Sequence, residues 1–231
     1  MTAALRQPPV LAAALIDWCA GVASRRLKQP PRTSECTPLR RTSGWETILF
    51  VTEESQPWKW PPGTADEATI LLGFLERQRA LLEWKTSDLD AAGMQATFGA
   101  SAITLGGLLK HLAHSEYHWF STYLTGDEPQ PPWEAPESWG EDWHTATNES
   151  PDQLRGLWQD SVARSRSTIA RQVASDGLDA ASRPPWDEGI GSPNLRWIVC
   201  HMIEEYARHL GHADLLRESI DGAVGEEPGS D

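Results

Sequence analysis

Apolar residues recur at helical spacing in four stretches of the chain, and no segment alternates apolar and polar positions long enough to read as a strand. The first stretch, roughly 65–87, follows the breaker Pro61-Pro62-Gly63 and the capping pattern Thr64-Ala65-Asp66-Glu67. It then carries Leu71, Phe74, Leu75, Leu81 and Leu82 on one period. The second, roughly 105–124, has Thr104 in the N-cap position and stops at Thr125-Gly126. The third opens on Ser150-Pro151-Asp152-Gln153, a capping box with proline at the first helical position, and closes near Asp176-Gly177. The fourth runs from Ser192-Pro193 to Asp221-Gly222. Four long amphipathic segments predict an all-α fold, an antiparallel four-helix bundle. The connection at 126–149 is long and acidic and holds Trp133, Trp139 and Trp143, which predicts a crossover or a functional lid. The connection at 177–192 is also long, with Trp186 near its middle.

Composition changes this picture at the N-terminus. Residues 1–45 carry seven basic and two acidic side chains, whereas residues 46–231 carry 13 and 31, so a leader of +5 precedes a body of −18. The stretch 29–44 is rich in Pro, Ser, Thr and Arg and reads as linker. Residues 1–45 are therefore set apart as an extension, disordered or not native. No Met follows until Met94, and Val51 could serve as a non-ATG start. The bundle is assigned to 46–225, with a short tail at 226–231. So acidic a body repels nucleic acid and anionic membranes, and no apolar run reaches the ~20 residues of a membrane helix. Cys19, Cys36 and Cys200 make no CxxC pair, which points to a reducing, cytoplasmic location, and Cys200 reads as a small hydrophobe. Of 19 aromatic residues 12 are Trp, an excess without an evident role beyond anchoring core and loops.

The histidines carry the chemistry. Six of seven lie on two predicted helices: His111, His114 and His118 on the second, and His201, His209 and His212 on the fourth. At ~100° per residue, with His201 at zero, the apolar arc of the fourth helix spans about 60–180°. His209 falls inside that arc, Glu205 and His212 on its edge, and Glu204 outside it. Glu205 and His209 thus stack one turn apart, facing inward. A buried carboxylate without a partner costs several kcal/mol, so it demands a cation, a proton or a metal. The facing helix leaves three candidates for a further ligand: His111 at the edge of its arc, His118 close beside it and His114 further out. Two nitrogens and one oxygen suit Zn²⁺, Ni²⁺ or Fe²⁺ and leave a position for water or a thiol. Glu116 falls within the second helix's apolar arc and is a candidate to orient a ligand, as are His201 and His212.

The segments LRWIVCHMIEEYARHLGHADLLRESIDG (195–222) and LGGLLKHLAHSEYHWF (105–120) resemble the DinB/YfiT-like superfamily. More narrowly they resemble its DUF664 (DinB_2) branch, found in actinobacteria, some members of which are described as mini-circle proteins. The resemblance spans roughly 58–225. It implies a four-helix bundle holding a divalent metal through a His on the second helix, matched by His111, and a pair on the last helix, matched by Glu205 and His209. Many relatives have His where this chain has Glu205, and the maleylpyruvate isomerase-like ones have Glu. Several relatives use mycothiol as cosubstrate; relatives outside actinobacteria use bacillithiol or no known thiol. The resemblance therefore implies a metal-dependent thiol S-transferase or isomerase acting on a small electrophile, compatible with a homodimer. Two further readings stand beside it: a non-catalytic, metal-stabilised stress or scaffold protein, and a metal-dependent hydrolase with Glu116 or Glu204 as base.

Overall fold

In the computed structural model the described residues are 59–134, 141–183 and 191–225; the expectations placed on 1–45, on Trp139 and Trp186 and on the tail lie outside them. Six α-helices follow in order: α1 (Glu67–Lys85), α2 (Ala91–Gln95), α3 (Leu105–Tyr117), α4 (Asp142–Thr145), α5 (Pro151–Asp176) and α6 (Leu195–Asp221). A π-helical turn, His118–Tyr123, continues α3. The four predicted helices are α1, α3 with its π turn, α5 and α6. The short α2 and α4 are too brief to show a period.

Side-chain caps start each long helix by satisfying amide N–H groups that no intrahelical carbonyl can reach. Thr104 Oγ1 accepts from Gly107 N at 3.0 Å. Ser150 and Gln153 form the expected capping box. Two boundaries differ from those predicted. Asp66, not Thr64, caps α1, accepting from Thr69 N at 2.9 Å. Asn194, not Ser192, caps α6, accepting from Trp197 N at 3.0 Å. Helix α6 cannot begin earlier, because Pro193 O accepts from Ser182 N and Leu195 N donates to Ala180 O in a short extended pairing.

Helix directions follow from which residues meet. Glu67 pairs with Arg196, and Lys85 with Asp214, so α1 and α6 run parallel. Arg166 meets Glu76, and Arg155 meets Thr86 O, so α5 opposes α1. His111 meets Glu205 while Trp119 meets Trp197, so α3 opposes α6. The bundle is thus two parallel pairs, α1 with α6 and α3 with α5, set antiparallel to one another. A parallel α3 and α5 require a crossover, which explains the length of the connection between them.

The core is apolar except at its centre. Leu75, Leu82, Leu105, Leu108, Leu109, Leu112, Ile198, Val199 and Met202 are fully buried. Each contributes roughly 1.5–3 kcal/mol by leaving water. Among them each long helix contributes one polar side chain to a buried network. Arg79 of α1 donates twice to Glu116 of α3, at 2.7 Å each. Tyr206 of α6 donates to Glu116 Oε1 at 2.8 Å and accepts from Trp158 Nε1 of α5 at 2.9 Å. Burying such charges is costly, and their mutual pairing offsets that cost. No described helix is long and apolar enough to cross a membrane.

Candidate metal centre

One turn beyond the central network, α3 and α6 bring His111, Glu205 and His209 together. One donor atom from each lies within 4.8 Å of the others. Glu205 Oε1 is 2.9 Å from His111 Nε2 and 3.1 Å from His209 Nε2. Antiparallel packing makes this meeting: it sets the α3 residue opposite a one-turn pair on α6. His111 and Glu205 are half-buried and His209 is buried.

The crossover completes the surroundings. Asp142, at the start of α4, is buried, and its Oδ2 lies 3.7 Å from His111 Nδ1 and 3.0 Å from His114 Nδ1. Trp143 stacks on His111, with centroids 4.6 Å apart, and tilts over His209 at 5.6 Å. Trp133 stacks on His114 at 4.9 Å. Helical periodicity placed His114 further out; the structure buries it, because Trp133 and Asp142 of the crossover cover that face of α3. Sequence reasoning missed Asp142, which lies in a four-residue helix without a motif of its own.

His111 therefore faces a carboxylate on each side. Glu205 takes the Nε2 side at 2.9 Å, whereas Asp142, already paired with His114, lies 3.7 Å from Nδ1, beyond hydrogen-bond reach, and acts on the ring through its charge. A neutral ring with its proton on Nδ1 leaves the Nε2 lone pair for a cation shared with Glu205. The titration behaviour reflects this. Burial disfavours the charged ring, yet Asp142 and Glu205 outweigh it and raise the His111 pKa. Hydrogen bonds from His111 and His209 hold the Glu205 carboxyl far below the usual carboxylate range. Asp142 is lowered too: burial opposes ionisation, and the two histidines overcome it. The donor set, two imidazoles and a carboxylate held ionised in a half-buried site, fits a divalent transition metal.

The remaining candidates lie elsewhere. His118 sits seven residues from His111, about 10 Å along the axis at 1.5 Å per residue, and packs against Tyr123 at 4.5 Å. His201 lies between Trp119 at 4.6 Å and Trp197 at 5.3 Å, and burial lowers its pKa. His212 neighbours His209 at 5.5 Å but supplies no donor to the group. Glu116 gives its carboxylate to Arg79 and Tyr206 in the core. Glu204 is exposed and pairs with Arg208 at 3.6 Å, so neither glutamate is placed as a hydrolytic base. Cys200 is exposed rather than a core hydrophobe, because it falls outside the apolar arc of α6.

Bundle and cluster together define a DinB-like helical protein with a three-donor His/Glu/His site. Residues 70–222 match the family model described as mycothiol-S-transferase, and the chain belongs to that family. No curated protein matches the chain.

Proposed function

We propose that His111, Glu205 and His209 hold a divalent transition metal, zinc before nickel or iron, and that the protein transfers a mycothiol-type thiol to a small electrophile or uses it to isomerise one. The observation that carries this reading is the convergence of three ligand atoms from two helices in a chain of the mycothiol S-transferase family. A bound metal of this kind lowers the pKa of a coordinated thiol so that it ionises near neutral pH. This chain's residues do the rest. The charge of Asp142, 3.7 Å from His111 Nδ1, favours a proton on that nitrogen. Trp143 shields the two imidazoles from water and gives a flat apolar wall to an incoming substrate.

The competing non-catalytic reading needs a closed, four-ligand site. Among the described residues the group has three members, with His212 outside it, and this favours chemistry over a purely structural metal. The hydrolase reading loses support with its two candidate bases. The test is elemental analysis of the purified protein beside His209→Ala, followed by mycothiol consumption against a panel of electrophiles. One equivalent of metal lost in the variant, with metal-dependent thiol consumption, is expected. Equal metal in both proteins sinks the ligand assignment, and metal without consumption of any thiol sinks the transferase assignment.

A further inference from the structure

One cavity among the described residues contains none of the three cluster residues. It holds about 540 Å³ between α3, α5 and the 127–133 segment of the crossover. That volume suits a small metabolite. Its floor is buried and partly hydroxylic: Ser121, Ser161 and Thr168, beside the rings of Tyr117 and Trp133. Its rim is exposed and charged: along α5 Asp160 precedes Arg164 by one turn and Arg171 follows two turns on, and Asp127 lies beside Ser121 on the facing side.

Three features separate this cavity from a passive gap. The Ser121 hydroxyl is 1% exposed and has no hydrogen-bond partner among the described residues, a state that costs free energy until something fills it. Arg164 and Arg171 pair with no carboxylate among the described residues, although both project from α5 into a strongly acidic protein. Arg171 is nonetheless held in place, donating to Ser167 Oγ at 2.9 Å and Thr168 Oγ1 at 3.1 Å, while Arg164 lies over the Tyr117 ring at 5.5 Å. The wall opposite is also anchored, because Tyr117 Oη accepts from Gln130 N at 3.0 Å. Two guanidinium forks without an ion-pair partner among the described residues can together recognise an oxyanion. The two aspartates repel a second anionic group and accept from hydroxyl or amino donors instead.

We propose that this cavity is a binding site for a small organic acid, with a carboxylate or phosphate held between Arg164 and Arg171, and hydroxyl or amino groups facing Ser121 and the flanking Asp127 or Asp160. The site is separate from the metal cluster and does not depend on its occupancy.

Calorimetric titration of the full chain with gluconate and with glucose 6-phosphate tests this, with glucose as the uncharged control. At least one of the two anions binds with a Kd below about 1 mM, and glucose binds at least tenfold more weakly. The double variant Arg164→Gln/Arg171→Gln, exposed positions whose exchange leaves the melting temperature unchanged, weakens anion binding about tenfold or more. Ser121→Ala weakens it severalfold, and His209→Ala leaves it unchanged. The proposal is overturned if neither anion binds in that range, if glucose binds as well, or if the double variant binds normally. Loss of binding in His209→Ala alone would place the anion on the cluster and overturn it equally.

Discussion

Trp143 lies against the imidazole of His111, ring planes 24° apart. Gly107, one turn before His111 on α3, makes the approach possible: a Cβ there would come within 3.0 Å of Trp143 Cε3 and 3.5 Å of its Cα. A backbone position with no side chain thus sets the cover on the cluster. Trp143→Ala is expected to speed metal loss about tenfold, read by chelator competition. Gly107→Val, which pushes the indole off by a different route, should do the same. Unchanged release in both variants would show that the indole does not retain the metal.

Asp142 Oδ2 lies 3.7 Å from His111 Nδ1. Asp142→Asn keeps the shape and removes the charge that favours the Nδ1–H tautomer. Metal affinity should fall about 10–100-fold, and the metal-free protein should also lose about 1–3 kcal/mol with the buried pair to His114. Competition with a chromophoric chelator measures the first, and calorimetry the second.

The central network predicts stability effects without metal effects. Tyr206→Phe leaves the Trp158 indole N–H and one Glu116 lone pair without partners, a loss of about 1–3 kcal/mol. Arg79→Met strands the Glu116 carboxylate and costs more, about 3–5 kcal/mol. Urea unfolding reads both. Metal stoichiometry should remain that of the parent protein; its loss would mean that the network also shapes the cluster.

Acid should weaken the fold through His118. Burial pushes its imidazole down to about 4, and the neighbouring His114 adds to the effect. The unfolded chain protonates this ring near pH 6.5. Between those values the unfolded state binds the extra proton, so stability falls as pH drops from about 6.5 to about 4 and levels off below. His111 works in the opposite sense in metal-free protein: its raised pKa adds stability below about pH 6.5 that is lost as pH rises through the folded value. Comparing wild type with His118→Gln cancels the His111 contribution. The variant should show a flatter dependence of melting temperature on pH over that window, and parallel curves would contradict the assignment.

The ease of reading the fold and the difficulty of reading the site have separate physical causes. Helices α1, α3, α5 and α6 announce themselves because each buries a long stripe and is capped by side chains at fixed offsets, as at Ser150 and Thr104. Angular periodicity also turned Glu205 and His209 inward. It could not choose among His111, His114 and His118, since a wheel has no axial coordinate. His118 is close in angle to His111 but two turns away. Trp143 was legible as part of a connection expected to cross over or act as a lid, but Asp142 and the place where that connection returns over α3 were not, being tertiary facts. The π turn at His118–Tyr123 was likewise invisible, for no local residue pattern demands it.

The parallel run of α3 and α5 has a consequence for how such a protein can diversify. The three cluster residues stand on helices whose positions are dictated by the core, whereas the cover arrives on a segment that merely has to travel the length of the bundle. Substitutions or insertions in that traverse can remodel what reaches the cluster at little cost to the scaffold. Asp142 is the exception, serving both cover and cluster. Variation in the traverse is therefore expected to be freest on either side of Asp142-Trp143 and tightest at that dipeptide.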